Sequence, residues 1–356
     1  MILFDYNIFF LQKHGGISRY FIELCKQMDR NDYKYFIQAS IHQNEYLQNS
    51  NLRKSSSLYL QTYPKYTRSI IKNLNKYLFE YQASKKKYKI LHDTYYGSSN
   101  IRNSNIFKIC SVYDFTHELF QKEYDFKTNF KKKALSTSDH FICISENTKK
   151  DLIKFYNINH NKISVVYLGG DHLPKSNYRY NDKPYILYVG YREKYKNFNT
   201  LLDAFHNSSI LKNDFNIICY GSVPFNKDEL EKISKYGLID NVKHMTGSDQ
   251  TLANLYANAK LHVITSKYEG FGITAIEAYN FNCPVIHTGL GSLSEITDHS
   301  SRFDGTIDDL QNLLEKCLYD NSLQLNLKKN INFYKEKYTW KNCYNNTINI
   351  YNNFLC

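Results

Sequence analysis

The spacing of the apolar residues changes period along this chain, and that alternation constrains the fold more than any other feature. Short apolar runs occupy residues 2–10, 35–40, 90–93, 107–112, 140–145 and 163–168, and between them apolar residues recur every three or four positions. Strand-length runs alternating with a helical period predict an α/β protein. After Gly15-Gly16, the residues Ile17, Tyr20, Phe21 and Leu24 fall at i, i+3, i+4 and i+7 and predict an amphipathic helix. Ser145, ahead of Glu146-Asn147-Thr148, reads as the N-cap of another. A second series of runs, at 185–189, 215–220, 242–245, 261–265 and 284–287, begins at Pro184. Residues 173–183, with Pro174, Asn and Asp, form the natural boundary and the expected hinge. The expectation is two Rossmann-like, doubly wound domains in tandem, at 1–174 and 182–337. A length of 356 residues suits two such cores.

Composition narrows the class. With 42% hydrophobic and 22% charged residues the chain is ordinary globular protein, and no run approaches the roughly 20 apolar residues of a bilayer span. Residues 1–11 are apolar but include Asp5 and Asn7 and lack a basic start, so they read as a buried first strand rather than a signal peptide. That predicts an unprocessed cytoplasmic chain. The eight cysteines form no C-x-x-C pair and several lie in apolar runs, which predicts reduced, buried thiols and no metal site. Charge is uneven: residues 1–178 hold 27 Lys and Arg against 15 Asp and Glu, whereas 179–356 hold 19 of each. The entire surplus of +12 therefore sits in the first half, in clusters such as Lys85-Lys86-Lys87, Lys131-Lys132-Lys133 and Lys149-Lys150. An anionic partner is implied: a lipid surface, a phosphorylated substrate or nucleic acid. No RNA- or DNA-binding motif supports the last.

Three places can carry chemistry. Gly15-Gly16 lies between a strand and a helix, where backbone can approach an anion, or where a tight turn needs positive φ; it is not G-x-G-x-x-G, so a dinucleotide site is not supported. At 261–278 a buried strand runs through Glu269-Gly270-Phe271-Gly272 into a helix near Ile273. The N–H groups of residues 271–274 would face the loop and suit a diphosphate. Glu269 and Glu277, eight residues apart, would grip hydroxyls of a sugar or ribose. At the end of the first strand of the second half, Gly190-Tyr191-Arg192-Glu193-Lys194-Tyr195-Lys196 offers Arg192 and Lys196 to neutralise a diphosphate leaving group.

Together these residues resemble the retaining nucleotide-sugar glycosyltransferases of family 4 and their mannosyltransferase-like branch, which implies the GT-B fold, two Rossmann-like doubly wound domains facing each other across a cleft. The resemblance extends over Gly15-Gly16-Ile17-Ser18-Arg19-Tyr20, Tyr113-Asp114-Phe115-Thr116-His117, Ser145-Glu146-Asn147 and Tyr268-Glu269-Gly270-Phe271-Gly272 with Glu277. It implies that Glu269, Arg192 and Lys196 act at the reacting centre. Gly15, Gly16, Gly190, Gly221, Gly270, Phe271, Gly272, Ile273 and Glu277 would bind the donor, a GDP- or UDP-sugar that is a substrate and not a cofactor. No metal is implied, since the cations replace it. GDP-mannose is the expected donor, with a UDP-hexose or UDP-N-acetylhexosamine as the alternative and a GT-B sugar-nucleotide epimerase as the alternative of another class. Tyr113 stands where many relatives have a histidine that contacts the donor sugar, with Asp114 beside it; His117 is a possible substitute. Ser145, and Glu295 in Ser294-Glu295 where relatives have Pro-Glu, are further possible site residues. The resemblance also implies a C-terminal helix, about 338–356, returning to the first domain with Cys343, Ile348, Tyr351 and Leu355 as its stripe. The first domain would take a glycan or lipid-linked acceptor, its basic surplus suiting an anionic membrane surface on the cytoplasmic side.

Overall fold

The apolar runs become parallel strands. The structure, a computed structural model, describes residues 1–97, 106–121, 129–192 and 194–355. It divides into two compact units, Met1–Gly169 with Trp340–Cys356, and Gly170–Thr339. The strands are β1 (Ile2–Phe4), β2 (Tyr35–Ile37), β3 (Ile41–His42), β4 (Leu58–Tyr59), β5 (Ile90–Asp93), β6 (Phe107–Val112), β7 (His140–Cys143), β8 (Ile163–Val165), β9 (Tyr185–Val189), β10 (Asn216–Tyr220), β11 (Val242–Met245), β12 (Leu261–Ile264) and β13 (Val285–His287).

In the first unit the sheet runs β2-β1-β5-β6-β7-β8, all parallel. The chain therefore reverses its winding direction between β1 and β5. The second unit's sheet runs β11-β10-β9-β12-β13, also parallel, and reverses between β9 and β12. Loops beyond the carboxyl ends of strands at such switch points are where open α/β sheets take ligands. Strands such as β5, β7 and β12 are buried at every position, as helices on both faces of a parallel sheet require.

Several expectations change. The first run, 2–10, is a strand only to Phe4, followed by a short helix, Asn7–Leu11. Asp5 breaks it: its buried carboxylate accepts the Thr94 N–H at 2.9 Å, the Asn7 N–H at 3.3 Å and the Thr94 hydroxyl, tying the end of β1 to the end of β5. The two-stranded β3-β4 sheet is too short to leave a periodic signal. The segment read as a linker packs along the second unit. Ser176 donates to Asn254, the Tyr180 N–H to Asn258, and the Lys175 carbonyl accepts from Gln250. Gly16–Arg30 is a helix, and the Ser145 hydroxyl caps Glu146–Tyr156 by accepting the Thr148 N–H at 3.0 Å. Trp340–Asn353 is a helix of the first unit, with Trp340 stacked on Tyr20 and the Tyr351 hydroxyl 2.5 Å from His92 Nδ1. Leu355 lies past its end and is exposed, off the buried stripe. The seven described cysteines are free and buried.

Candidate functional site

In the second unit, the loops after β9 and β12 stand on either side of the switch point, and their side chains meet. Lys196 ends the turn Lys194–Lys196 after β9, and its Nζ lies 2.6 Å from Glu269 Oε1 in the loop after β12. Burial alone would lower the lysine's pKa, but the Glu269 carboxylate, helped by Tyr195 and Tyr188, raises it above its ordinary value. The ammonium is therefore a fixed cation. The backbone is tied in the same place: the Lys196 carbonyl accepts from the Thr265 hydroxyl at 2.8 Å, and the Lys267 N–H donates to the Tyr195 carbonyl at 2.7 Å.

Glu269 is held from a third loop. The Ser292 hydroxyl and N–H, after β13, both donate to its carbonyl at 3.0 Å. Gly291 makes that approach possible: its φ is +64°, and a Cβ there would collide with the Glu269 backbone. Gly272, at φ +83°, turns the chain into the helix Ile273–Asn280. No side chain caps that helix, and its first turn has no acidic residue. Its leading N–H groups thus present the positive end of the helix dipole beside the Lys196–Glu269 pair. Gly270 and Phe271 are buried, the latter against Tyr338, so they build the loop's inner wall.

Glu277 sits one turn along the same helix and is buried. Its Oε2 accepts from the Tyr256 hydroxyl at 3.1 Å, and its Oε1 is 3.3 Å from His172 Nε2. Sequence reasoning missed both partners, because neither is near Glu277 in the chain. Gly190 and Gly221 are adjacent, since a Cβ on Gly221 would lie 2.9 Å from the Gly190 carbonyl oxygen.

Arg192, expected with Lys196 to meet a diphosphate, is also paired within the protein. Its buried guanidinium donates from Nε to Glu229 at 2.8 Å, and from Nη2 to Glu229 at 3.3 Å and to the carbonyls of Val223 and Pro224 at 2.9 and 2.7 Å. Glu229 belongs to a capping box with Asn226 at the start of Lys227–Lys235. The Asn-x-x-Glu spacing was the signal that could have found it. Glu295 lies in the short helix Leu293–Ile296, where its carbonyl accepts from the Tyr338 hydroxyl.

The first unit has its own recess at its own switch point. A cavity of about 410 Å³ is lined by residues after β1 (Asn7 to Gln12), after β5 (Tyr95, Tyr96) and after β6 (Asp114, His117, Glu118), with Lys72, Phe130 and Lys131. His117 and Asp114 thus line a cavity, whereas Tyr113 does not: it is buried, its hydroxyl donating to the Thr94 carbonyl at 2.7 Å. Ser145 is a helix cap, fully buried. Lys131 is not part of a solvated basic cluster. It is buried, 3.0 Å from Glu118, 2.5 Å from the Asp114 carbonyl and 3.9 Å from the Phe115 ring centre. Lys132 and Lys133 remain exposed. At Gly15 φ is 162°, extended backbone, and a Cβ there would come within 2.7 Å of the Gln12 side chain, whereas a Cβ on Gly16, the first residue of its helix, would meet nothing within 4 Å; Gly15 therefore makes room for Gln12 rather than for a left-handed turn. Among the described residues no three His, Cys, Asp or Glu side chains gather as a metal site, and no helix is long and apolar enough to cross a membrane.

Comparison with known proteins follows the two units. Residues 14–172 match the family model described as Glycosyltransferase Family 4, and residues 171–332 the one described as Glycosyl transferases group 1. The O-antigen chain mannosyltransferase B of Escherichia coli is 24% identical over 235 residues, 62% of each chain. The O-antigen chain mannosyltransferase RfbU of Salmonella typhimurium is 26% identical over 222 residues, 60% of each. The chain thus spans about three-fifths of the length of these relatives. Two solved structures superpose on nearly all of it. Sucrose-phosphate synthase of Thermosynechococcus elongatus has a TM-score of 0.77 at 17% identity, covering 99% of this chain and 98% of that one. Anabaena HepE in complex with UDP and glucose has 0.76 at 15%, covering 99% of both.

Proposed function

This chain belongs to the family 4 glycosyltransferases of GT-B fold, and from that premise we propose that it is a retaining, metal-independent hexosyltransferase of surface-polysaccharide assembly. The donor we favour is GDP-mannose, which the mannosyltransferase relatives support. The observation that carries the reading is the Lys196–Glu269 pair beside the uncapped start of Ile273–Asn280, at the switch point of the second sheet.

In this proposal the diphosphate lies on the N–H groups from Gly272 onward, and Lys196 meets the charge that grows on it as the bond to the sugar breaks. The Arg192 bonds to Glu229 use Nε and Nη2, so Nη1 is the nitrogen assigned to the phosphate. Glu277 takes the ribose hydroxyls, and Glu269 the hydroxyls of the donor sugar. An acceptor hydroxyl attacks the anomeric carbon on the face the diphosphate leaves; the C–O bond to phosphate breaks, and the departing phosphate oxygen takes the acceptor's proton. The cavity of the first unit, with Tyr95 and Tyr96 as walls and Asp114 and His117 as polar groups, is the proposed acceptor site. Aromatic faces suit the C–H face of a sugar ring and the polar groups its hydroxyls. The work would take place on the cytoplasmic side of a membrane that carries the lipid-linked acceptor.

A thermal-shift panel with GDP, UDP, ADP and CDP, each with and without Mg²⁺, tests this. At 100 times its dissociation constant a nucleotide adds about 2.7 kcal/mol. A metal-independent shift with GDP is expected. A UDP-only shift overturns the donor and keeps the class; that second reading is favoured by the UDP-glucose bound to Anabaena HepE. No shift with any nucleotide overturns the site.

A further inference from the structure

Glu277 is reached by a segment far along the chain from its own helix. Residues 170–172 open the second unit and lie against the helix Ile273–Asn280. Gly170 makes the contact possible: a Cβ there would come within 2.6 Å of the Ile276 side chain and 2.9 Å of its backbone. The Gly170 N–H donates to the Tyr338 carbonyl at 3.2 Å, and Tyr338 packs edge-on against Phe271, in the loop that leads into the same helix. Two residues on, His172, its side chain 3% exposed, brings Nε2 to 3.3 Å from Glu277 Oε1, on a side chain 8% exposed. From the other side the Tyr256 hydroxyl reaches Glu277 Oε2 at 3.1 Å. Burial and the neighbouring Glu277 charge raise the Tyr256 pKa, so that hydroxyl keeps its proton and donates.

A carboxylate shielded from water to this degree is costly unless its oxygens accept hydrogen bonds. Here each oxygen faces a different polar side chain, so the carboxylate cannot turn without parting from one of them. His172 Nε2 must carry its proton at this point, because a bare nitrogen would set lone pair against lone pair. A carboxylate fixed at both oxygens loses little further freedom when two neighbouring hydroxyls of a ligand donate to it. We propose that His172 is a positioning residue for ribose recognition: its Nε2–H holds Glu277 Oε1, and the carboxylate so fixed selects a ribonucleoside diphosphate over its 2′-deoxy analogue. This rests on the reading of Glu277 as the group that takes the ribose hydroxyls. A histidine that only fastened residues 170–172 to the helix would leave the selection untouched.

The test is the affinity of the full chain for GDP, UDP and their 2′-deoxy analogues, measured by titration calorimetry in the wild type, His172→Gln, His172→Asn and Glu277→Gln. A glutamine places an amide N–H at about the reach of Nε2, whereas an asparagine reaches only as far as Nδ1. The wild type should bind the ribonucleotide at least about tenfold more tightly than its deoxy form, as one hydrogen bond to a charged group allows. His172→Gln should keep that ratio, and His172→Asn should lower it to about threefold or less. The ratio compares two ligands on one protein, so a loss of stability common to both does not enter it. An unchanged ratio in His172→Asn overturns the proposal. So does a ratio that His172→Gln fails to keep, since packing of the imidazole rather than its N–H would then be the role. A ratio near one in the wild type, or one that Glu277→Gln leaves intact, removes the ribose reading of Glu277 and the proposal with it.

Discussion

Lys196 and Arg192 lie four residues apart, and each meets a glutamate in different surroundings. Lys196 pairs with Glu269 across the switch point, partly open to solvent, whereas Arg192 is enclosed with Glu229. Removing one member of a buried pair leaves the other charge without compensation, so Arg192→Ala should cost about 3–5 kcal/mol of stability in a denaturant titration. Lys196→Ala should leave the midpoint closer to wild type and lower turnover by about 10²-fold or more, since its charge matters most in the transition state. An Arg192→Ala protein as stable as wild type would remove the locked-cation reading. Glu277 extends the comparison: Tyr256→Phe deletes one hydrogen bond to a carboxylate, worth about 1.5–3 kcal/mol. The expected result is a donor KM raised about tenfold with kcat nearly unchanged, because Tyr256 positions Glu277 and does not meet the reacting atoms. Of these contacts only the cations and carboxylates themselves were legible in the sequence. Glu229, Tyr256 and His172 lie far along the chain from what they hold, and spacing carries no record of such pairs.

At the scale of elements, three loops converge on one helix start. The loop after β13 matters as much as the one that carries Glu269, because Gly291 brings its backbone against the Glu269 carbonyl. Gly291→Ala would need a left-handed conformation that costs about 1–2 kcal/mol, and its methyl group would displace Glu269. We expect a lower thermal midpoint together with a loss of turnover; full activity would show that the loop after β13 does not position the site. The strand runs of the second unit were readable with their ends nearly in place, since parallel strands buried on both faces are written as unbroken apolar runs. The run at 2–10 was not, because it also looks continuous. Its break comes from Asp5 bonding to Thr94, just past the end of β5 and some ninety residues away.

For the molecule as a whole, buried titratable groups set the pH range of stability. Burial lowers five histidines from the ordinary 6.5: His92 to about 3, His42, His262 and His287 to about 4, and His140 below its ordinary value. For a group depressed on folding, stability is complete above the unfolded pKa and is lost as pH falls toward the folded one. Each such histidine therefore withdraws up to about 1.4 kcal/mol per pH unit between pH 6.5 and 4. Asp5 and Asp93, raised by burial, Asp93 to about 7, act in the opposite direction over part of that interval. Five against two predicts a net fall in unfolding free energy from pH 6.5 to 4.5, measured by urea titration at each pH; a flat or rising profile contradicts it.

By itself the sequence determined the α/β class, the two series of strands, the Glu-x₇-Glu loop and the basic first half. Each of these is written locally, in period, in turn residues or in charge count. Only the tertiary structure decided that the segment before Pro184 belongs to the second unit and that Arg192 is locked to Glu229. It alone decided that Lys131 lines a cavity and that His172 meets Glu277. The physical reason is common to all four. An apolar or charged side chain states in the sequence what it can bind, but which neighbour it meets depends on how distant elements pack, and that is settled only when the sheets and helices close around their cores.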